Sequence, residues 1–307
     1  MLLSSRQTAL LLDTHESSVK RWCNAGEIAC STTDGGHRRI DLQDAVEFAV
    51  HGGLGRDLIS VAESAETVVG GILALRRGRV QPALRDQVSQ WLLDASSPRV
   101  TAVFRLAGAF DVPLSLLYDR LVADVLQSVG ESWATGAFTV GEEHRVSESL
   151  LDVLYGIQAA LESRLPVQTP QVILGTMQGE EHVTGAMMIR TLLTEAGVSV
   201  SYLGRKVPSE DFLLFQQKHA APLVCLSATM FRAPEAVIAA VNEITAINAT
   251  GAPFSVAVGG SGARAATALS NRLTHPQRVR FFDSATDFMA WAESFIQPKP
   301  VSHHESH

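Results

Sequence analysis

Cysteine is scarce: Cys23, Cys30 and Cys225 are the three in 307 residues. So few thiols at such spacing exclude a disulfide framework and a cysteine-built zinc site, and the simplest expectation is three core thiols. Long apolar runs are also missing. No stretch reaches the roughly 20 residues a membrane span requires. The N-terminal MLLSSRQTALLLDTHE lacks the basic segment and small-residue cleavage site of a secretory signal, so the expected location is the cytoplasm. Positive charge is in the minority, with 25 Lys and Arg against 32 Asp and Glu and a net charge of −7. This excludes a protein that coats nucleic acid non-specifically but leaves room for a small DNA-reading module. No nucleophile or acid/base pair is set aside for turnover, so an enzyme is not expected. What is present, 46% hydrophobic and 19% charged residues, suffices for sizeable cores. The length suggests two or three compact units.

Three segments with different periodicity follow one another. Residues 1–52 read as short helices around a turn: Arg6–Leu12 capped by Ser4 or Ser5, then Glu16–Ala25 closed by Gly26. A strand-like Ile28-Ala29-Cys30, a polar tip at 32–36 and His37-Arg38-Arg39-Ile40 then form a two-stranded wing, and Asp41 caps a further helix through Val50. His51–Gly55, HGGLG, reads as a linker. Over residues 56–165 the apolar positions recur at helical spacing, as in Leu114, Leu117, Leu121, Val125 and Val129, which predicts a bundle of four or so helices. Pro166–Pro170 marks a second joint. Over residues 168–297 short apolar runs alternate with helix-length segments: Val172–Leu174, Val198–Leu203, Leu223–Leu226, Phe254–Val258 and Val279–Phe282. That alternation predicts an open, doubly wound parallel sheet of flavodoxin-like size. Residues 298–307, PKPVSHHESH, read as a disordered tail.

Ligands of doubly wound sheets bind beyond the carboxyl ends of the strands. There the sequence places Gln178-Gly179-Glu180-Glu181-His182-Val183-Thr184-Gly185, then Ser227-Ala228-Thr229, then Gly259-Gly260. A neutral imidazole suits a transition metal, and a carboxylate two residues away can accept its second N–H and fix the tautomer. The glycines permit close approach, and the hydroxyls suit a buried heteroaromatic nitrogen. Glu180-x-His182-x-x-Gly185 with Ser227-x-Thr229 and Gly259-Gly260 resembles the cobalamin-binding domain of methionine synthase and its relatives, with Glu180 where that family usually has Asp. The resemblance implies that His182 binds cobalt from below and that the nucleotide tail enters a slot beside the sheet.

GEEH occurs at 141–144 as well as at 179–182. In the first copy Thr139-Val140-Gly141-Glu142 has the form of a capping box. Taken alone, Trp133 reads as core filling and Glu143 as a favourable charge at a helix start. Trp133 followed by Glu143-His144 resembles the helical cap of CarH-type photoreceptor repressors. By that resemblance Trp133 covers the cofactor's upper face, Glu143 and His144 lie near an adenosyl ribose, and the two GEEH strings face one cofactor. The position after the tryptophan, which can be a second cobalt-binding histidine in that family, is Ala134.

The N-terminal segment, with Asp34-Gly35-Gly36-His37-Arg38-Arg39-Ile40, resembles the MerR-type winged helix-turn-helix. The implied DNA contacts are Ser17, Ser18, Lys20 and Arg21 from the reading helix and His37, Arg38 and Arg39 from the wing, with Val19 and Trp22 facing the core. The whole chain thus resembles a CarH-type, adenosylcobalamin-dependent, light-sensing repressor that binds operator DNA as a dimer or tetramer. Two alternatives stay open: a cobalamin sensor indifferent to light, and a corrinoid-carrying enzyme component.

Overall fold

The computed structural model describes residues 1–166, 171–229, 233–246 and 253–293. Most of the joint expected at Pro166–Pro170, and the tail 298–307, lie outside them. The chain divides into two compact units, Met1–Val153 and Leu154–His307.

The first unit opens with β1 (Leu2–Ser4), α1 (Ser5–Leu11), α2 (Glu16–Ala25), β2 (Ser31–Thr32), β3 (Arg38–Asp41) and α3 (Leu42–Gly52). Local chemistry sets these boundaries. Ser4 and Gln7 form a reciprocal capping box at α1, Gly26 ends α2 at φ +73°, and the Asp41 side chain caps α3 through the Gln43 amide. Two expectations need correction. The strand foreseen at Ile28–Cys30 begins instead at Ser31, because Ile28 turns inward and is 2% exposed. The wing also gains a third antiparallel strand, in the order β1-β3-β2, with Leu3 opposite Ile40. Both of those side chains are fully buried, which ties the N-terminus into the core.

The HGGLG segment is not a loose connection. His51 and Gly52 belong to α3, and Gly53 and Gly55 take left-handed conformations at φ +64° and +65°. A Cβ on Gly55 would lie 2.3 Å from the Leu11 carbonyl oxygen. Beyond it run α4 (Arg56–Ser60), α5 (Ala65–Leu75), α6 (Pro82–Leu93), α7 (Ser97–Ala109), α8 (Leu114–Leu117), α9 (Ala123–Ala134) and α10 (Val140–Glu162). A π-helical turn, Tyr118–Val122, joins α8 to α9 into one rod. Five long rods therefore replace the expected four, with the short α4 packed on α7. Leu117, Leu121, Val125 and Val129 are buried as the helical spacing required.

The second unit contains β4 (Val172–Met177), α11 (Thr184–Glu195), β5 (Val200–Val207), α12 (Ser209–His219), β6 (Leu223–Ser227), α13 (Pro234–Ala246), β7 (Ser255–Gly259), α14 (Ser261–Thr267), β8 (Val279–Phe282) and α15 (Ala285–Ala292). The five strands are parallel in the order β5-β4-β6-β7-β8. All six residues of β4 are buried, as its unbroken apolar run predicts for a strand covered on both faces. Alternate side chains serve separate cores: Val172 and Leu174 pack with Ala186, Leu193 and Phe288, whereas Ile173 and Met177 pack with Phe212, Val237 and Val241. Each fully buried side chain of this kind contributes about 1.5–3 kcal/mol, so the sheet is a stiff base for its loops.

Candidate functional site

The loops after β4, β6 and β7 meet at the carboxyl edge of the sheet, and a buried carboxylate organises them. Glu180 is 1% exposed. One of its oxygens, Oε1, accepts the His182 amide at 2.9 Å and lies 2.7 Å from His182 Nδ1. The other, Oε2, accepts the Thr229 amide at 2.9 Å and the Thr229 hydroxyl at 2.6 Å. Burial, the largest single influence, pushes the Glu180 carboxyl upward. The hydrogen bonds from Thr229 and His182 together outweigh it and hold the group below its ordinary value. A carboxylate with this many donors stays charged and keeps the imidazole proton on Nδ1, the arrangement that presents the opposite ring nitrogen as a metal ligand. The imidazole side chain is 49% exposed.

The glycines divide into two kinds. Gly260, at φ +99°, and Gly262 make room for protein: a Cβ on either would stand 2.3 Å from a backbone oxygen, of Ala228 and Thr229 respectively. The loop after β7 is thus pressed onto the loop after β6, and the Gly262 amide donates to the Ala228 carbonyl at 3.0 Å. Gly259 differs, since a Cβ there would meet nothing within 4 Å. At the first turn of α11 a Cβ on Gly185 would come 3.4 Å from Ser227 Oγ, so the two residues border the same space. Ser227 ends β6 at 7% exposure.

The structure therefore brings Glu180, His182, Gly185, Ser227, Thr229, Gly259 and Gly260 together on one edge. Two roles shift. The Thr229 hydroxyl serves Glu180 rather than a ligand nitrogen, and the missing side chain at Gly260 accommodates Ala228. Gly262 belongs to the same glycine-rich loop as Gly259 and Gly260, whereas Lys206, beside the first loop, was not singled out from the sequence. Lys206 sits at φ +56° at the end of β5, donates its amide to Thr176 Oγ1 at 3.0 Å, and pairs its ammonium with Glu181. Strain of this kind has no sequence signal.

In the first unit Trp133 is 44% exposed at the end of α9. Glu143 accepts the Ser147 hydroxyl at 2.9 Å and lies 3.5 Å from His144 Nε2, with His144 mostly exposed. Glu142 caps α10, its Oε2 accepting the Thr139 amide at 2.7 Å and hydroxyl at 2.8 Å. The core of the unit thus makes no use of the indole or of the second imidazole.

In the reader Ser17, Arg21 and His37 are exposed and Ser18, Arg38 and Arg39 half-buried. Lys20 is exposed and paired with Glu16 at 2.8 Å. Arg38 donates to Asn24 Oδ1 at 2.7 Å, and Val19 is fully buried. Trp22 is half-buried, its ring 4.9 Å from that of Phe48. An open cleft of about 400 Å³ lies between helix and wing, lined by Arg6, Glu16, Lys20, His37, Arg38 and Arg39 among others.

Fold and site define the class: a five-stranded α/β domain built around a carboxylate-oriented imidazole. Residues 170–287 match the family described as the B12 binding domain. The chain is 31% identical over 177 residues to the HTH-type transcriptional repressor CarH of Myxococcus xanthus, an alignment covering 57% of each protein. It therefore spans little more than half of that relative. It is 22% identical over 147 residues to dimethylamine corrinoid protein 3 of Methanosarcina acetivorans, across 48% of this chain and 68% of that one. Its fold is similar to that of the monomethylamine corrinoid protein of Methanosarcina barkeri, with a TM-score of 0.53 at 13% identity, over 68% of this chain and 97% of the other. The matched domain supports a cobalamin cofactor, and the chain is similar to CarH over about half its length.

The residues present fit such a group. A corrin ring brings its own nitrogen donors to cobalt, so one further donor would suffice from the protein, and an imidazole oriented by a carboxylate, as His182 is by Glu180, is chemically suited to be that donor. Among the described residues no cluster of three or more metal-binding side chains exists. Of the three cysteines expected in the core, Cys225 alone is buried, whereas Cys30 is exposed and Cys23 half-buried. Nor is any described helix long and apolar enough to cross a membrane.

Proposed function

We propose that this protein is a cobalamin-dependent transcriptional repressor that responds to light. It binds operator DNA as a homo-oligomer while adenosylcobalamin is held, and it carries out no turnover of its own. The observation that carries the reading is the pairing, in one chain, of the Glu180–His182–Thr229 arrangement with a cationic cleft between a reading helix and a wing. Similarity to a transcriptional repressor supports a regulatory role.

Each group has a task. His182 would ligate cobalt, with Glu180 fixing its tautomer and Thr229 fixing Glu180. Gly185, Ser227 and Gly259 border space for the nucleotide tail. By the same resemblance Trp133, Glu143 and His144 would serve the adenosyl group. Adenosylcobalamin, when bound, would supply a cobalt–carbon bond sensitive to green or blue light. In the reader, Arg38, Arg39 and His37 reach phosphates while Ser17, Ser18, Lys20 and Arg21 face the groove. The acidic chain binds weakly through one reader, so assembly raises affinity through effective concentration. Ligand can drive that assembly only by binding the assembled state better.

The test is direct. Holo-protein prepared in darkness should shift DNA from upstream of its own gene and lose both mass and DNA affinity on illumination. Unchanged mass and DNA binding after exposure would leave the light-independent sensor, a reading that Ala134 favours. Replacement His182→Ala should change the corrinoid spectrum and weaken uptake; an unaltered spectrum sinks the cobalt assignment. The likeness to corrinoid proteins favours a second reading, a corrinoid-carrying enzyme component, which predicts no gel shift at all.

A further inference from the structure

Thr229 holds the Glu180 carboxylate from the side of β6, and a second set of bonds holds the Glu180 main chain from the side of β5. Thr176, near the end of β4, is fully buried. Its hydroxyl donates to the Glu180 carbonyl at 2.8 Å and accepts the Lys206 amide at 3.0 Å. The same amide also donates to the Glu180 carbonyl at 3.3 Å. This meeting depends on an irregular β5. Its ladder with β4 slips twice, so that Gly175 stands opposite Gly204 whereas Met177 stands opposite Val207. Extra residues in a strand escape the ladder and re-aim their neighbours. Gly204 and Lys206 take left-handed conformations at φ +90° and +56°. For lysine that backbone is strained, and such strain persists only where the surroundings over-determine it. On its other side Thr176 stands opposite Ser227 of β6. Hydrogen bonds therefore run from the end of β5, through the β4 hydroxyl and Glu180, to Thr229 beyond β6, with His182 bonded to Glu180 midway.

We propose that Thr176 is a positioning residue for the cobalamin site: its hydroxyl fixes the Glu180 main chain against the end of β5, so that the Glu180 carboxylate holds the His182 imidazole in one orientation. The inference rests on His182 as the cobalt ligand proposed above. Thr229 restrains the tip of the Glu180 side chain but leaves its backbone free to turn, and Thr176 removes that freedom. Without the hydroxyl the Glu180 carbonyl keeps only the longer bond from Lys206, and the Lys206 amide loses its nearer acceptor. The left-handed backbone of Lys206 belongs to the same device, since it carries the amide that Thr176 accepts. Thr176 touches no cobalt ligand itself and acts through Glu180.

The test uses the full chain, titrated with hydroxocobalamin. The bound corrinoid, reduced to cob(II)alamin, is then read by electron paramagnetic resonance in protein whose histidines carry a heavy nitrogen isotope. The nitrogen splitting of the cobalt signal responds to that label only when a protein imidazole is the ligand. Thr176→Val keeps the shape and deletes the hydroxyl; it should weaken uptake about 10-fold, the lower end for a partner behind a metal ligand, and part of the bound corrinoid should lose the labelled splitting. Thr176→Ser, which keeps the hydroxyl, should restore both. A lowered urea midpoint with uptake and splitting intact would mark Thr176 as structural only and overturn the proposal. A second route spares the core, because the Lys206 side chain is half exposed. Lys206→Val, whose branched side chain resists the left-handed region, should reduce uptake and splitting more than Lys206→Gly, which adopts it freely; equal effects overturn the proposal even if Thr176→Val does not fold. Failure of the underlying reading looks different: the wild type itself would take up no hydroxocobalamin, or would bind it without the labelled splitting, and the role of Thr176 would fall with the cobalt assignment.

Discussion

Glu180 decides how His182 is presented, and the decision costs a buried charge that only local donors can offset. Four contacts converge on its two oxygens, so removal of one donor should be felt. Thr229→Val keeps the shape and the amide bond but deletes the 2.6 Å hydroxyl bond; a hydrogen bond to a charged group contributes about 1.5–3 kcal/mol. We expect a loss near the lower end in urea unfolding, because Thr229 is only half-buried, together with weaker corrinoid uptake. The acid limb follows from the direction of the Glu180 shift. A carboxyl held below its ordinary value of 4.5 adds stability above that value and loses it as pH falls through the folded one. Urea midpoints of the wild-type chain should therefore drop more steeply through the acid range than those of Glu180→Gln; parallel curves would remove the charge from the account. The pair Glu180 and His182 was legible in the sequence because both lie in one loop. The Thr229 role was not, since 49 residues separate it from its partner.

Among the elements, the two GEEH strings show how little a short motif fixes by itself. In the first, Glu142 closes a capping box with Thr139 at the exposed start of α10. In the second, the corresponding Glu180 is buried and ties the loop after β4 to the loop after β6. Thr139→Ala should fray the first turn of α10, and amide exchange at Glu142–Arg145 should quicken without change elsewhere in the helix. At the start of α14 two effects compete. Gly262→Ala gains about 1 kcal/mol of helix propensity, but its Cβ would stand 2.3 Å from the Thr229 carbonyl oxygen. Backbone cannot yield as a side-chain tip does, so overpacking at roughly 1–3 kcal/mol wins. The variant should unfold at lower urea and shift the environment of Glu180; equal stability would show that the loops can separate freely. Strand positions were readable from apolar runs, whereas this loop-on-loop contact has no period to reveal it.

At the scale of the molecule, the N-terminal reader and the helical segment are one compact unit rather than two tethered domains. α1 packs on α7, α3 on α4 and α5, and Gly55 seals the joint against Leu11. Gly55→Ala sets a strained backbone at φ +65° and a close contact against the same site. We expect limited proteolysis near His51–Gly55, absent in the wild type, and an earlier first unfolding transition. Resistance in the variant would mean that the seal is dispensable. Composition had marked HGGLG as a linker because glycine frees the chain and also lets it approach closely, and only neighbours decide which use applies.

The sequence by itself determined what depends on near neighbours along the chain: caps, helix faces, the five apolar strand runs, and the imidazole with its carboxylate. Tertiary structure alone decided what depends on distant backbones meeting: the third wing strand, the joint at Gly55, and the reassignment of Thr229 and Gly260. The physical reason is range. Periodicity and capping act over a few residues and leave a pattern in the string, whereas close packing between segments far apart is satisfied by shape, which no single stretch of sequence records.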